Sequence, residues 1–373
     1  MPVSPAVFDF LDLMPDADAL LTEARREGVT LFGAGNFALA VRDALRSIGI
    51  SVRACVVSEV TSRTCGDVPV VTLDTLDAAA SALPLWVAVY NRSANADLIA
   101  IATCCRARGI ARVRLPQEYY AAIQQQLGWR FWLNDLRQYA SARASIESAY
   151  RLLDDEKSRQ QFLTTLRFRL ALPMEVGPSP TDEPQYFPGA IHTALATRQR
   201  GCVFVDGGAY DGDTIVQATA TIPLTRAYAF EPDLVNFSRL AANVAALDSP
   251  VISYPCGLSN ATEWLAFASD NGEASAIATD GNNRIQCVRL DECLIGERID
   301  YIKFDVEGHE LPALAGASGI IRRDRPVLAI AAYHRWDDIW RIPKFIRGIV
   351  PEYRIRYRTH EHNTFESVFY AYC

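Results

Sequence analysis

Two Rossmann-like α/β domains joined by a helical connector are the fold class this sequence predicts. Three observations carry the prediction. A strand, glycine turn and helix pattern occurs twice, at Gly33 and at Gly207. After each, strand-like apolar runs alternate with helix-like segments, which argues for mainly parallel sheets covered on both faces. Between the two, Trp132, Tyr139, Ile146, Tyr150, Leu153 and Phe162 fall at helical spacing along one aromatic face. The expected boundaries are 1–118 for the N-terminal domain, 119–185 for the connector and a proline-rich loop, and 186–373 for the C-terminal domain.

The bulk composition suits a globular protein of two or three domains. The chain has 373 residues, 50% apolar and 22% charged, with a net charge of −7. That charge argues against a general nucleic-acid binder, which needs a dominant basic surface. One stretch, 322–358, is locally basic, with ten Lys/Arg against four Asp/Glu. It reads as a solvated surface, with a rim that attracts anionic substrates as the sharper option. The nine cysteines are scattered without C-x-x-C spacing, as in a reducing compartment. No signal-peptide pattern opens the sequence, and Ala78–Tyr90, its most apolar stretch, is too short to span a bilayer. A cytoplasmic location is the expectation.

In chain order, residues 1–28 read as one or two opening helices, with Val3, Val7, Phe8, Leu11, Leu20 and Leu21 as the apolar positions and breaks at Pro5 and Pro15. Val29–Phe32 is a strand. Gly33-Ala34-Gly35-Asn36 then opens a helix that stops near Gly49, and Val52–Val57 is the next strand, ending at Ser58-Glu59. This is a βαβ opening with G-x-G-x-x-A, so Gly33, Gly35 and Asn36 form a candidate second nucleotide site. The bland alternative is that these glycines only tighten the turn. Further strands are read at 68–71, 85–90 and 110–115, with Asn91-Arg92-Ser93 capping a helix that Gly109 ends. Five prolines between Pro173 and Pro188 exclude regular structure there. That segment is either a linker or a loop folded over a ligand.

The C-terminal domain is organised around Val203–Asp206 and the Gly207-Gly208 turn. The turn is expected to let a ligand approach the backbone, and the following helix to aim free N–H groups at it. Glu231 ends the next strand, 24 residues after Gly207, where an acid can accept ribose hydroxyl protons. Strands are expected at 202–206, 227–231, 251–255, 300–305 and 327–332, with two more at 353–357 and 367–370. An antiparallel hairpin is expected within 264–288, with turns at Asn271-Gly272 and Gly281-Asn282.

Asp305, Glu307 and His309 follow the fourth of these strands, and His334 follows the fifth. The carboxyl ends of parallel strands are where ligands gather, so these side chains are expected at one cleft. Histidine titrates near neutrality, which makes His334, with His309 as rival, the candidate general base. A divalent metal held by histidines 309, 334, 360 and 362 with Asp305 and Glu307 is a lesser expectation, and no ligand set is assigned. Lys303 reads as a paired residue at the core edge.

Phe204–Asp213, Phe230-Glu231-Pro232, Leu290-Asp291-Glu292 and Ile302–Gly308 occur in order, followed by Arg325–Ile330 and Tyr333-His334. Together they resemble the FkbM-type family of S-adenosylmethionine-dependent methyltransferases, over about residues 186–373. The resemblance implies a class I methyltransferase domain, with S-adenosylmethionine as cofactor. It implies that Asp206, Gly207, Gly208, Tyr210, Asp213, Glu231, Asp305 and Glu307 hold the donor. It also implies O-methylation of a hydroxyl on a sugar, glycan precursor or natural-product scaffold, with His334, His309 and Asp305 as catalytic candidates. Asp213 has a simpler role as a helix cap. The N-terminal half loosely resembles domains that handle sugar nucleotides. Two other readings stand beside this one: a dinucleotide-dependent oxidoreductase built on the Gly33 domain, and a non-catalytic nucleotide-binding module. The partners expected are a small hydroxyl acceptor, no nucleic acid and no membrane, with a homodimer formed through the aromatic connector as an option.

Overall fold

The structure, a computed structural model, describes residues 8–9, 17–59, 64–196, 201–268, 276–277 and 283–373. The positions Val3, Pro5, Val7, Leu11 and Pro15, and the turns Asn271-Gly272 and Gly281-Asn282, lie outside the described residues. The chain divides into two compact units. The first comprises 1–147, 161–180 and 361–365; the second comprises 148–160, 181–360 and 366–373. Residues 119–185, read from the sequence as a connector, are therefore shared between the two units.

In the first unit a six-stranded sheet has the order β3-β4-β2-β1-β5-β6. Its strands are β1 (Val29–Phe32), β2 (Val52–Val57), β3 (Thr64–Cys65), β4 (Val68–Thr72), β5 (Leu85–Val87) and β6 (Val113–Arg114). All pairings are parallel except β3 with β4. Short β-branched and aromatic runs buried on both faces make these central strands. The helix Leu98–Ala107 is capped by Asp97, whose Oδ1 accepts from the Ile99 and Ala100 amides, and not by Asn91-Arg92-Ser93 as expected. A short 3₁₀ turn, Ala94–Ala96, intervenes and moves the helix start past the earlier polar residues. The aromatic positions Trp132, Tyr139, Tyr150 and Phe162 are buried, as core residues are.

In the second unit a seven-stranded sheet has the order β16-β17-β15-β14-β7-β8-β9. Its strands are β7 (Cys202–Gly207), β8 (Leu224–Phe230), β9 (Val251–Tyr254), β14 (Tyr301–Phe304), β15 (Val327–Ala331), β16 (Arg354–Thr359) and β17 (Ser367–Tyr372). The first five in sequence are parallel, and β16 and β17 close the sheet antiparallel. The expected hairpin is part of a second, four-stranded sheet of order β10-β13-β11-β12. Its strands are β10 (Gly257–Leu258), β11 (Glu263–Ala268), β12 (Ala276–Ile277) and β13 (Asn283–Val288).

Residues 148–160 are built onto the outer strand β16. Leu153 forms a parallel bridge with Ile355, the Asp154 amide donates to the Ile355 carbonyl at 2.8 Å, and the Tyr357 amide donates to Ser158 Oγ at 2.9 Å. Arg358, 5% exposed, donates to Asp155, Glu183 and Ser158. Its neighbours Arg354 and Arg356 also face Asp154 and Asp155, while Arg325 faces Glu352 and Arg341 faces Asp337. These five of the ten basic residues in 322–358 thus face carboxylates, as on an ordinary solvated surface.

The proline-rich segment carries no helix or strand from Pro173 to Pro188. Its last part is nevertheless fixed. The Tyr186 amide donates to the Tyr370 hydroxyl at 3.0 Å, the Tyr301 hydroxyl donates to the Tyr186 carbonyl, and Phe187 lies in the core beside Phe204 and Tyr301.

Candidate active site

The parallel strands β7, β8, β14 and β15 end on one side, and their carboxyl ends carry the predicted site residues. Lys303 lies opposite Asp206 in the β7–β14 register. Its Nζ is 2.9 Å from Asp206 Oδ1 and donates to the Gly208 carbonyl at 2.7 Å. Asp206 is fully buried. Burial lifts its carboxyl to about 6, because one ammonium does not return all the hydration lost. For Lys303, burial works against the charge but the carboxylates of Asp206 and Asp305 outweigh it, so its pKa is raised. The two form a buried ion pair at neutral pH that anchors the glycine turn from beneath. Asp206 has no exposed surface to offer a donor, contrary to the expectation of direct contact.

The glycines are required by the protein itself. A Cβ on Gly207 would lie 2.7 Å from the Phe304 ring, and one on Gly208 would lie 1.8 Å from the Asp305 carbonyl oxygen. Gly208 also has φ +74°. The amides of the turn itself are taken up within the protein. The Gly208 and Ala209 amides donate to the Phe230 carbonyl, at 3.0 and 3.1 Å, and the Tyr210 amide donates to Glu231 Oε2 at 2.9 Å. The turn curls back onto the end of β8 and spends its donors there.

Glu231 is 6% exposed and staples two loops, since its Oε1 accepts from the Asp233 amide at 2.9 Å. Burial raises its carboxyl to about 7, against the two backbone donors that favour the charge. Each oxygen keeps a second lone pair, so a hydroxyl contact remains available. Asp213 is the first residue of the helix Asp213–Thr221, whose cap position is Gly212, and its Oδ1 accepts from the Thr214 amide. It therefore supports the helix start from one residue inside the expected cap.

The other half of the site follows β14 and β15. Glu307 adopts φ +52°, a conformation that costs a non-glycine residue about 1 kcal/mol or more. The structure brings Asp305, Glu307 and His334 together. His334 Nε2 is 3.4 Å from Asp305 Oδ1 and 3.4 Å from Glu307 Oε2, and its Nδ1 is 2.8 Å from Glu310 Oε1. Tyr186 donates its hydroxyl to Asp305 Oδ2 at 2.7 Å. His334 and Glu310 are fully buried, whereas the Asp305 and Glu307 side chains are 19% and 18% exposed. Burial disfavours the imidazolium, but Glu310 and Glu307 outweigh it and hold the His334 pKa well above 6.5. His334 is fully buried and both its ring nitrogens face carboxylates, so it does not meet an acceptor hydroxyl directly, as the general-base expectation requires.

His309 is directed elsewhere: its Nε2 faces Ser259 Oγ at 3.0 Å, and burial lowers its pKa. His360 lies between the Glu183 carbonyl and the Tyr370 hydroxyl, and His362 faces Asp97. These three histidines do not join the Asp305 cluster. Sequence reasoning missed Glu310 and Asp338, a fully buried pair of acids beside His334. The only signal was an acid directly after His309. In the first unit, a Cβ on Gly33 would lie 2.6 Å from the Ala88 carbonyl, so the strand neighbour explains that residue. Gly35 caps the helix Asn36–Ser47 without a side-chain hydrogen bond and has open space around it.

A mainly parallel seven-stranded sheet with an antiparallel β17, a glycine turn at its centre and an acid ending the neighbouring strand define a Rossmann-like domain of the methyltransferase type. Residues 206–357 match the model of the methyltransferase FkbM domain, and the C-terminal part of the chain carries that domain. The chain is 30% identical over 101 residues to the hexuronic acid methyltransferase AglP of Haloferax volcanii, a match that covers 26% of this chain and 42% of that relative. The crystal structure of methyltransferase FkbM from Methylobacillus flagellatus KT shares the fold, with a TM-score of 0.71 and 20% identity, over 98% of this chain and 97% of that one. Among the described residues, no helix is long and apolar enough to cross a membrane.

Proposed function

We propose that the chain is an S-adenosylmethionine-dependent methyltransferase acting on a hydroxyl of a sugar or a related polyhydroxy scaffold. The observation that carries the proposal is the contact between its two halves: the Gly208 backbone abuts Asp305, so the glycine turn and the Asp305–Glu307 carboxylates share one edge of the sheet. The match to the FkbM domain supports methyl transfer, and the partial relative that acts on a hexuronic acid supports a sugar acceptor.

The residues fit this donor better than a phosphate ligand. The turn has spent the amides of residues 208–210, and the acids Asp211, Asp213 and Glu231 surround it. That setting suits a cationic, hydroxyl-bearing ligand and disfavours a dinucleotide. Gly207, Gly208, Tyr210 and Glu231 would hold the donor. Bound there, S-adenosylmethionine would supply a methyl group already activated by its sulfonium charge. The protein's task is to align the acceptor oxygen and take its proton as the O–CH₃ bond forms and the S–CH₃ bond breaks. In this reading the Asp305 or Glu307 carboxylate accepts that proton.

Calorimetric titration with S-adenosylhomocysteine tests the donor half. We expect micromolar binding that tightens several-fold as the pH rises through about 7, where Glu231 becomes a pure acceptor. The sign differs for stability. A carboxyl raised from 4.5 to about 7 makes the free protein less stable as the pH rises across that window. No binding at any pH would refute the proposal.

A further inference from the structure

We propose that Asp305 Oδ1, Glu307 Oε2 and His334 Nε2 form a three-ligand site for a divalent first-row transition ion that presents the acceptor oxygen. The role rests on the function proposed above; the site itself rests on geometry. One ligand atom from each of the three residues lies within 4.8 Å of the other two. The two distances from Nε2 are 3.4 Å. Ligand atoms about 2.1 Å from a tetrahedral ion stand about 3.4 Å apart, so both separations from Nε2 match those of ligands sharing one ion. Charge-assisted hydrogen bonds are shorter, about 2.7–2.9 Å.

A second observation points to a ligand. Glu307 Oε2 is buried and receives no hydrogen bond of good geometry, 3.4 Å from the imidazole. The supporting groups orient the set inward. Glu310 Oε1 receives the Nδ1 side of His334, and that same oxygen accepts from the Val306 and Gly308 amides, at 3.0 and 3.3 Å. In the neutral imidazole this fixes the proton on Nδ1 and leaves the Nε2 lone pair facing the carboxylates. Tyr186 holds the second oxygen of Asp305. Carboxylate–histidine pairs and hydroxyl donors of this kind are the usual outer supports of metal ligands.

One nitrogen and two carboxylate oxygens favour Mn²⁺, Fe²⁺, Co²⁺ or Zn²⁺ over Mg²⁺ and Ca²⁺. Three protein ligands leave a position open, and the partly exposed Asp305 and Glu307 put that position on the solvent side. A hydroxyl bound there would lose its proton more readily. The competing arrangement is an imidazolium clasped by carboxylates without any ion.

The test uses the full chain, stripped with a chelator and titrated with Mn²⁺ while free Mn²⁺ is followed by its EPR signal. One ion per chain is expected, with affinity reduced about tenfold or more in Asp305→Asn and in Glu307→Gln. Glu310→Gln, a positioning change, should weaken binding without abolishing it. His334→Ala risks misfolding, so the carboxylate variants, checked by circular dichroism, carry the decision. Failure to take up Mn²⁺, Co²⁺ or Zn²⁺ stoichiometrically, or uptake unchanged in both carboxylate variants, overturns the site. S-adenosylhomocysteine binding, measured on the same stripped protein, separates the two proposals. Donor binding without ion uptake removes only the metal, and ion uptake without donor binding removes only the donor.

Discussion

Gly208→Ala is expected to destabilise the protein by about 3 kcal/mol or more and to abolish S-adenosylhomocysteine binding. Two independent costs coincide. The backbone sits at φ +74°, where a side chain is strained, and the new Cβ would lie 1.8 Å from the Asp305 carbonyl oxygen. Neither chain can yield easily, because the Asp305 amide donates to the Gly207 carbonyl at 3.0 Å and Lys303 holds the Gly208 carbonyl. Gly35→Ala is the control. Gly35 has φ −86° and open space around it, so a change within about 0.5 kcal/mol is expected. Urea denaturation of both variants checks this, and wild-type stability in Gly208→Ala would show that the close approach does not exist.

The second large effect belongs to the ion pair beneath the turn. Asp206→Ala leaves the Lys303 ammonium buried without its main partner, and a loss of about 3–5 kcal/mol is expected. The double change Asp206→Ala with Lys303→Met removes both charges and should recover much of that loss. A double-mutant cycle measured by denaturant unfolding gives the coupling. Additive losses would mean that the pair is not coupled as its 2.9 Å separation implies.

The layout of the sheet was legible because its strands are buried on both faces. Val29–Phe32, Val203–Val205 and Val327–Ala331 read as mainly apolar, β-branched runs, and each lies in a strand. The position of Glu231 was legible too, from its spacing after the glycine turn. Its work was not. That Glu231 staples the Tyr210 and Asp233 amides depends on the turn curling back, which pattern reading does not contain. His334 was legible as a strand-end histidine, but its partner Glu310 lies 24 positions earlier and meets it only through the strand order. Tyr186 and Asp305, 119 residues apart, are the same case. Sequence spacing locates groups at strand ends; only the three-dimensional neighbours decide whether such a group is a base, a clasp or a ligand.

The segment 148–160 on β16 bears on how the protein can be shortened. A version starting at residue 186 keeps the whole stretch that matches the FkbM domain, yet discards Leu153, Asp155, Ser158 and Glu183. The outer strand β16 would then present unpaired amides and carbonyls along its edge, the usual template for strand-to-strand association. Arg358 would keep its buried position without either carboxylate. Such a fragment is expected to self-associate on expression, as size-exclusion chromatography would reveal. One beginning ahead of Ser148 retains the strap and its counter-charges.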